Sequence, residues 1–332
     1  MAERTVLKRI PAVVGPTASG KTAVAIALAR RLDGEIISCD SMQIYRHMDI
    51  GTAKPIPAER AAVPHHLIDF IDPNTPYSAS DYAKDALSAV ADILRRGKTP
   101  LFCGGTGLYL AAARRGGEDA RIPGATEARE ELEIIAAQTN GADELHARLM
   151  AVDPDSAAAT HKNNVRRVIR ALEVFYATGV PKSEWDRRSR EAAPALHITP
   201  FLIDYPNRDL LYARIEARVD AMMAAGLLDE ARRLYAAGAL SPTSTAGQAI
   251  GYKELAAYLR GERTYEEAVA DLKTATRRYA KRQLTWFAAD PSVIRLCALR
   301  DTGDPKTPEE LAEEAERILS SLPPPDIKGD NQ

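Results

Sequence analysis

The chain has 332 residues, 45% hydrophobic and 27% charged, with a formal net charge of −2 and a pI near 6.4. That composition fits a soluble globular protein with room for a large domain plus a smaller one, and no apolar run approaches the roughly 20 residues a bilayer span needs. Near-neutral total charge speaks against a uniformly basic nucleic-acid binder, although a local basic patch matters more than the sum.

The three cysteines, Cys39, Cys103 and Cys297, show neither pairing nor zinc spacing, so a reduced, cytoplasmic setting is expected. No signal-peptide core precedes the first motif. Residues 10–14 (IPAVV) are a short apolar run of the buried-strand type, and 22–32 carry a helical apolar face. A second strand is predicted over 35–39. Residues 80–96 read as an amphipathic helix opened by Ser80 and closed near Gly97. A strand over 100–103 then leads into Gly104-Gly105. Strands alternating with helices imply a parallel α/β sheet.

From 114 to 200 no strand pattern stands out. Helices are predicted over 126–138, 143–150 and 164–178, the last punctuated by Gly179 and Pro181. A strand returns at 201–205, followed by a long helix over 208–225 stopped at Gly226, helices from 227 to 287, and a last strand near 292–296. From about 304 the chain is rich in Glu and Asp, and its end, LPPPDIKGDNQ, is predicted to be disordered. The predicted architecture is an α/β core (8–113 and 200–300) interrupted by a helical insert (114–199), with an acidic C-terminal helix and tail (301–332).

Gly15-Pro16-Thr17-Ala18-Ser19-Gly20-Lys21-Thr22 matches the phosphate-loop pattern GxxxxGK[ST], with a strand before it and a helix after it. Its backbone N–H groups and the helix N-terminus suit phosphate oxygens. Lys21 can neutralise terminal phosphates and Thr22 can ligate Mg²⁺. The motif reports phosphate, not a reaction. A phosphotransferase also needs a hydrophobic strand ending in a Mg²⁺-directed Asp. The nearest candidate, His66-Leu67-Ile68-Asp69, is a short version of it, which leaves room for a diphosphate that departs as a leaving group. His65 and His66 diverge and have no evident third ligand, so they read as structural.

Asp40 lies at the end of the second strand, where ligands bind in open α/β sheets, placed to act as a base. The same position lets it cap the following turn, and spacing does not separate the two readings. The Gln43 amide has the donor and acceptor needed for an adenine edge. In Gly104-Gly105-Thr106-Gly107 the glycines permit close approach to a ligand, and Thr106 can hydrogen-bond a phosphate or a nucleophile. Arg214 and Arg218 share a helix face, and one of them can reach a diphosphate. Arg166, Arg167 and Arg170 cluster on one predicted helix. Lys273, Arg277 and Lys281 form a stripe on another, beside Arg278 and Arg282, and few acids share it. Phosphate contact is the favoured reading.

Ten segments in this order resemble the tRNA dimethylallyltransferases (tRNA isopentenyltransferases), over about residues 11–296: GPTASGKT (15–22), DSMQIY (40–45), DIGTAKP (49–55), HHLID (65–69), YSASDY (77–82), GGTGLYL (104–110), RALEVF (170–175), RIEARVD (214–220), QAIGYKEL (248–255) and RRYAKRQLTWF (277–287). The resemblance implies a P-loop NTPase-like parallel-sheet core with an inserted all-helical domain that embraces a tRNA anticodon stem-loop. Dimethylallyl diphosphate enters a channel through the core, and the adenosine immediately 3′ of the anticodon is flipped into its other end. The adenine N6 attacks the allylic carbon and diphosphate leaves. By matching position, Asp40 is the implied general base and Thr106 holds the amine. Residues Thr17 to Thr22 cradle the diphosphate with Mg²⁺, assisted by Arg214. Implied tRNA contacts are Asp40, Ser41, Met42, Gln43, Thr106, Arg129, Arg166, Arg167, Val168, Ile169, Arg170, Gln248, Gly251, Tyr252, Lys253, Lys281, Arg282, Gln283 and Trp286.

Three stretches depart from the family pattern. Ala288-Ala289 stand where an arginine is usual, Asn163-Asn164-Val165-Arg166 stand where Asp-Pro-Gln is usual, and 111–117 is less apolar. A monomer without membrane association is expected. Rival readings are prenylation of a free adenine nucleotide, ATP-dependent phosphoryl transfer, and non-catalytic RNA binding.

Overall fold

The computed structural model describes residues 9–117, 126–191 and 193–325. Residues 326–332 of the predicted disordered end lie outside these, as does 118–125 near the predicted start of the insert.

The first half of the core runs Ile10–Val14 (β1), Lys21–Arg31 (α1), Gly34–Ser38 (β2), Pro57–Ala62 (α2), His65–His66 (β3), Ala79–Arg95 (α3), Thr99–Gly104 (β4) and Gly107–Arg115 (α4). Helices Thr126–Ala136 (α5), Gly141–Val152 (α6), Pro154–Ala159 (α7), Val165–Thr178 (α8) and Lys182–Glu191 (α9) follow. The chain then returns through Ile198–Asp204 (β5), Arg208–Ala224 (α10), Leu227–Ala236 (α11), Tyr252–Leu259 (α12), Tyr265–Ala288 (α13), Ile294–Cys297 (β6) and Pro308–Ser321 (α14).

The strands form one six-stranded parallel sheet in the order β3-β2-β4-β1-β5-β6. Central β1 pairs Val13 with Cys103 on one side and with Phe201 on the other. Its residues are all buried, as expected of a strand covered on both faces. Val24 and Leu28 of α1 pack on one face, and Tyr82, Val90 and Leu110 of α3 and α4 on the other. The loops after β1, β2 and β4 therefore emerge side by side at the strands' C-terminal ends, where a parallel sheet binds ligands.

The structure alters four expectations. Helix α3 opens at Ser78, not Ser80: Ser78 Oγ accepts from the Asp81 amide at 3.1 Å, and Asp81 accepts from the Ser78 amide at 2.9 Å. Helix α9 has no apolar stripe to reveal it; ion pairs such as Lys182–Asp186 (2.6 Å) and Arg188–Glu184 (2.7 Å) run along it. Helix α14 is no appended tail. Leu311, Ala312 and Ala315 are buried in the cluster that holds α1, and Arg31 pairs with Glu316 at 2.5 Å. Finally, within 200–300, helices α11, α12 and the first half of α13 pack with Ile44, Tyr45 and Met48 around a separate apolar centre. Helices α5, α6 and α8 have their own, built from residues such as Leu132, Leu149 and Leu172. No helix among the described residues is long and apolar enough to cross a membrane.

Candidate active site

The phosphate loop is held from two sides. Arg214 on α10 donates from Nε to Ala18 O at 2.9 Å and lies over the Tyr205 ring. Gln283 on α13, 4% exposed, accepts from the Thr17 amide at 2.9 Å and donates to Gly105 O at 3.0 Å. One side chain thus ties the loop after β1 to the loop after β4. Gly105 has to be glycine here, because a Cβ would fall 2.0 Å from Gln283 Nε2.

A cavity of about 560 Å³ opens between these loops and helices α10 and α13. Lys21, Asp40, Arg218 and Tyr279 line it. Desolvation lowers the Lys21 pKa and the nearby Arg218 lowers it further. Desolvation also lowers that of Arg218, with Asp40 opposing the shift. Neither cation has an ion-pair partner among the described residues; Lys21 Nζ reaches only Pro16 O, at 3.4 Å. Two cations desolvated together favour an anion between them.

Asp40 does two things at once. Its Oδ1 accepts from the amides of Met42 (2.9 Å) and Gln43 (3.4 Å), which is the capping geometry. Its Oδ2 has no hydrogen bond to any described residue and remains available at the cavity wall. Thr106 Oγ1 accepts from the Ser41 amide at 3.0 Å, and the Thr106 amide donates to Cys39 O at 3.1 Å, so the loops after β2 and β4 are locked together. The Tyr279 ring lines the cavity beside them. Burial, and after it the Asp40 charge, raise the pKa of its hydroxyl, with Thr106 opposing.

Gln43 is not free to read an adenine edge, as its residue type suggested. Nε2 donates to Thr52 O and Ala53 O, each at 3.2 Å, and Oε1 accepts from Ser38 Oγ at 3.2 Å. Both donors are spent on tying 40–43 to 49–55. Asp69 is likewise committed, to buried Lys54 at 2.7 Å, which also pairs with Asp49 at 2.7 Å. His66 meets Glu35 at 2.6 Å and His65 meets Val63 O at 2.8 Å, both structural contacts.

A family model described as IPP transferase matches residues 43–290, and one described as isopentenyl transferase matches 8–69. A Syntrophobacter fumaroxidans protein named tRNA dimethylallyltransferase is 52% identical over 280 residues, covering 84% of this chain and 80% of its own length. A Geobacillus thermodenitrificans protein of the same name is 47% identical, covering 94% and 95%. The chain belongs to the IPP transferase family. The solved structure of a Bacillus halodurans tRNA isopentenylpyrophosphate transferase superposes with a TM-score of 0.68 at 41% identity, covering 94% and 96%. A eukaryotic dimethylallyltransferase acting on tRNA gives 0.80 at 28%, covering 97% and 82%.

Within this IPP transferase, the remaining residues expected to touch tRNA fall into four groups. Arg166, Arg167, Lys253, Lys281, Arg282 and Trp286 are exposed, and the five cations have no ion-pair partner among the described residues. Ser41, Met42, Gln248 and Gly251 line the cavity. Arg129 pairs with Glu133 (2.9 Å), and both Arg129 and Arg170 reach Glu173. Four side chains are corrected. Val168 and Ile169 are buried in the helical cluster of α5, α6 and α8. Tyr252 is fully buried, with its hydroxyl on Glu230 at 2.6 Å, and Gln283 is consumed by its two loop contacts. The α13 stripe is also less free than its sequence suggests. Lys273 pairs with Asp220 at 2.7 Å and Arg277 with Glu216, acids supplied by α10.

Arg218, which spacing could not distinguish from Arg214, is the one in the cavity. Tyr279 was hidden among its basic neighbours. No group of three or more acidic, His or Cys side chains among the described residues would hold a metal alone. Thr22 and Asp40 nevertheless place a hydroxyl and a carboxylate on the cavity wall. That sparse set of oxygen donors fits Mg²⁺, which keeps several waters and binds together with substrate phosphates.

Proposed function

We propose that this IPP transferase moves the dimethylallyl group of dimethylallyl diphosphate onto N6 of the tRNA adenosine immediately 3′ of the anticodon. The observation that carries this reading is one cavity wall bearing Lys21, Arg218 and Asp40 Oδ2, the two cations without an ion-pair partner and the oxygen without a hydrogen bond among the described residues.

The diphosphate docks on the phosphate-loop amides at the N-terminus of α1, facing Lys21 and Arg218. Arg214 supports the loop from behind. Thr22, through its hydroxyl, would hold Mg²⁺, which would supply positive charge to the leaving group. Thr106, fixed by Ser41 and Cys39, orients the adenine amine. That amine is a weak nucleophile because its lone pair is delocalised into the ring. Asp40 Oδ2 takes the N6 proton as the bond from N6 to the allylic carbon forms. The carbon–oxygen bond breaks, and its electron pair leaves with the diphosphate. Enclosure keeps water from the cation-like carbon. The adenosine reaches the cavity by unstacking from a single-stranded loop. The exposed cations of α8 and α13 serve the RNA phosphates. A reducing cytoplasm suits the buried, unpaired Cys39 and Cys103.

The test is incubation with Mg²⁺, labelled dimethylallyl diphosphate and either unmodified tRNA, AMP or ATP. Label on an anticodon-loop adenosine, with none on AMP, is the expected outcome. Unlabelled tRNA, or phosphoryl transfer from ATP, overturns the reading.

A further inference from the structure

We propose that Tyr279 is the platform on which the flipped adenine stacks, with the Arg282 guanidinium bracing the ring from its other face. The inference rests on the acceptor proposed above and names a residue that holds it.

Among the described residues that line the cavity, Tyr279 is the one aromatic side chain. It is not one of the residues expected from the sequence to touch tRNA. Helix α13 places it between the surface and the interior. Trp286 is 46% exposed, and Arg282 is exposed yet also lines the cavity. Tyr279 comes next and is half-buried, while Thr276 and Leu272 beyond it are buried. From Arg282 to Tyr279 the helix advances about 4.5 Å. The ring therefore stands just inside the mouth that the exposed cations mark. The helix is held there, because Gln283 next to Arg282 is bonded to both Thr17 and Gly105.

The ring also stands at the reacting end of the base. After burial, the Asp40 charge is the largest influence on its hydroxyl, and Thr106 acts on it as well. These two residues are the ones assigned above to the adenine amine. A base lying on this ring thus has its amine edge within reach of both.

The Arg282 guanidinium carbon lies over the Tyr279 ring, 5.6 Å from its centre. No second ring among the described residues stacks on Tyr279, so one face is left for a ligand. A ring that carries a cation on one face is a poor partner for a second cation. The open face therefore suits the neutral adenine better than the cation-like allylic carbon. A base drawn out of the loop loses its stacked neighbours, and an aromatic side chain restores that contact.

The experiment measures the affinity of the wild type, Tyr279→Leu and Tyr279→Phe for two anticodon stem-loop RNAs. One carries the target adenosine and the other an abasic nucleotide in its place. Tyr279→Leu is expected to bind the adenosine RNA about tenfold more weakly, the size of one base–aromatic stack, and to bind the abasic RNA as the wild type does. Tyr279→Phe keeps the ring and is expected to match the wild type on both. Equal losses on the two RNAs in Tyr279→Leu would show that the ring only supports the protein, and would overturn the inference. A Tyr279→Phe protein that loses the adenosine RNA selectively also overturns it, since the hydroxyl would then carry the contact; this arm decides if Tyr279→Leu does not fold. Label transfer to unmodified tRNA by the wild type is measured in parallel. Its absence overturns the acceptor reading beneath, whereas the affinities alone decide the role of Tyr279.

Discussion

Gln283 and Thr17 are joined across the ends of the sheet strands: the Thr17 amide donates to Gln283 Oε1 at 2.9 Å while Nε2 of the same side chain donates to Gly105 O at 3.0 Å. The geometry of the phosphate loop therefore depends on a helix nearly the whole chain away in sequence. Gln283→Leu leaves a buried donor and a buried acceptor unpaired, each costing about 1–3 kcal/mol. The donor KM is expected to rise about tenfold along with the loss of stability. Steady-state kinetics and urea denaturation separate the effects. A stability loss with unchanged KM would show that the contact does not shape the donor site.

Gly107 and Trp286 make a second such contact. A Cβ at Gly107 would lie 2.1 Å from both Cδ1 and Nε1 of the indole. Gly107→Ala is expected to displace Trp286, which is 46% exposed, and to weaken tRNA binding without changing the donor KM. Adding Trp286→Ala should make the double variant no worse than Trp286→Ala alone, since the two changes act on one element. Filter binding of tRNA to the wild type, the single variants and the double variant measures this. Additive losses would refute the shared origin.

Asp40→Asn preserves an oxygen for the Met42 and Gln43 amides but removes the proton acceptor. Turnover is expected to fall by about 10² to 10⁴, with tRNA affinity kept. Asp40→Ala also releases the turn and should weaken binding as well. Single-turnover rates beside tRNA affinities decide between them. An Asn variant with ordinary turnover removes Asp40 from the chemistry.

Much of this architecture is legible in the sequence because its cues are local. Apolar runs ending in Gly15, Asp40 and Gly104 announce β1, β2 and β4, and the phosphate loop has a fixed spacing. What escapes is information carried by a partner. Asp220 and Glu216 neutralise two of the three stripe cations of α13, Lys273 and Arg277, from another helix, which no window around Lys273 contains. Gln43 has the right chemistry for a base edge, but the carbonyls that occupy it belong to Thr52 and Ala53. Arg214 and Arg218 are equivalent by helical spacing, and only the position of α10 over the loop tells them apart. Helix α9 lacks the apolar face by which helices are recognised.

Glu230 illustrates the same point in the core. It is 2% exposed and accepts from the amides of Asp49 (3.0 Å), Ile50 (2.9 Å) and Gly51 (3.1 Å) as well as from the Tyr252 hydroxyl (2.6 Å). Glu230→Gln turns an amide donor toward a ring of donors. A loss of at least about 3 kcal/mol is expected, since hydrogen bonds to a charged group are the stronger kind. Residues 51–55 line the cavity, so the donor KM should rise too. Denaturation midpoints and KM values check both, and a Gln variant as stable as the wild type would contradict the role.

Glu35 sets an acid limit on stability. Hydrogen bonds from Arg96, and then from His66, hold its carboxyl at about 2, below the ordinary 4.5, against a burial effect of opposite sign. The folded form therefore prefers the ionised carboxylate. The stabilisation is complete above pH 4.5 and fades as pH falls toward 2. The shift alone would correspond to about 3 kcal/mol, and screening of the 40%-exposed Arg96 reduces this to about 1–2 kcal/mol. Glu35→Gln is expected to lose that amount at pH 7 and to differ progressively less from the wild type as the pH drops from 4.5 to 3. Urea denaturation of both proteins at pH 7, 4.5 and 3 tests the slope. A gap that stays constant across that range would mean that packing, rather than the charge on Glu35, carries the contribution.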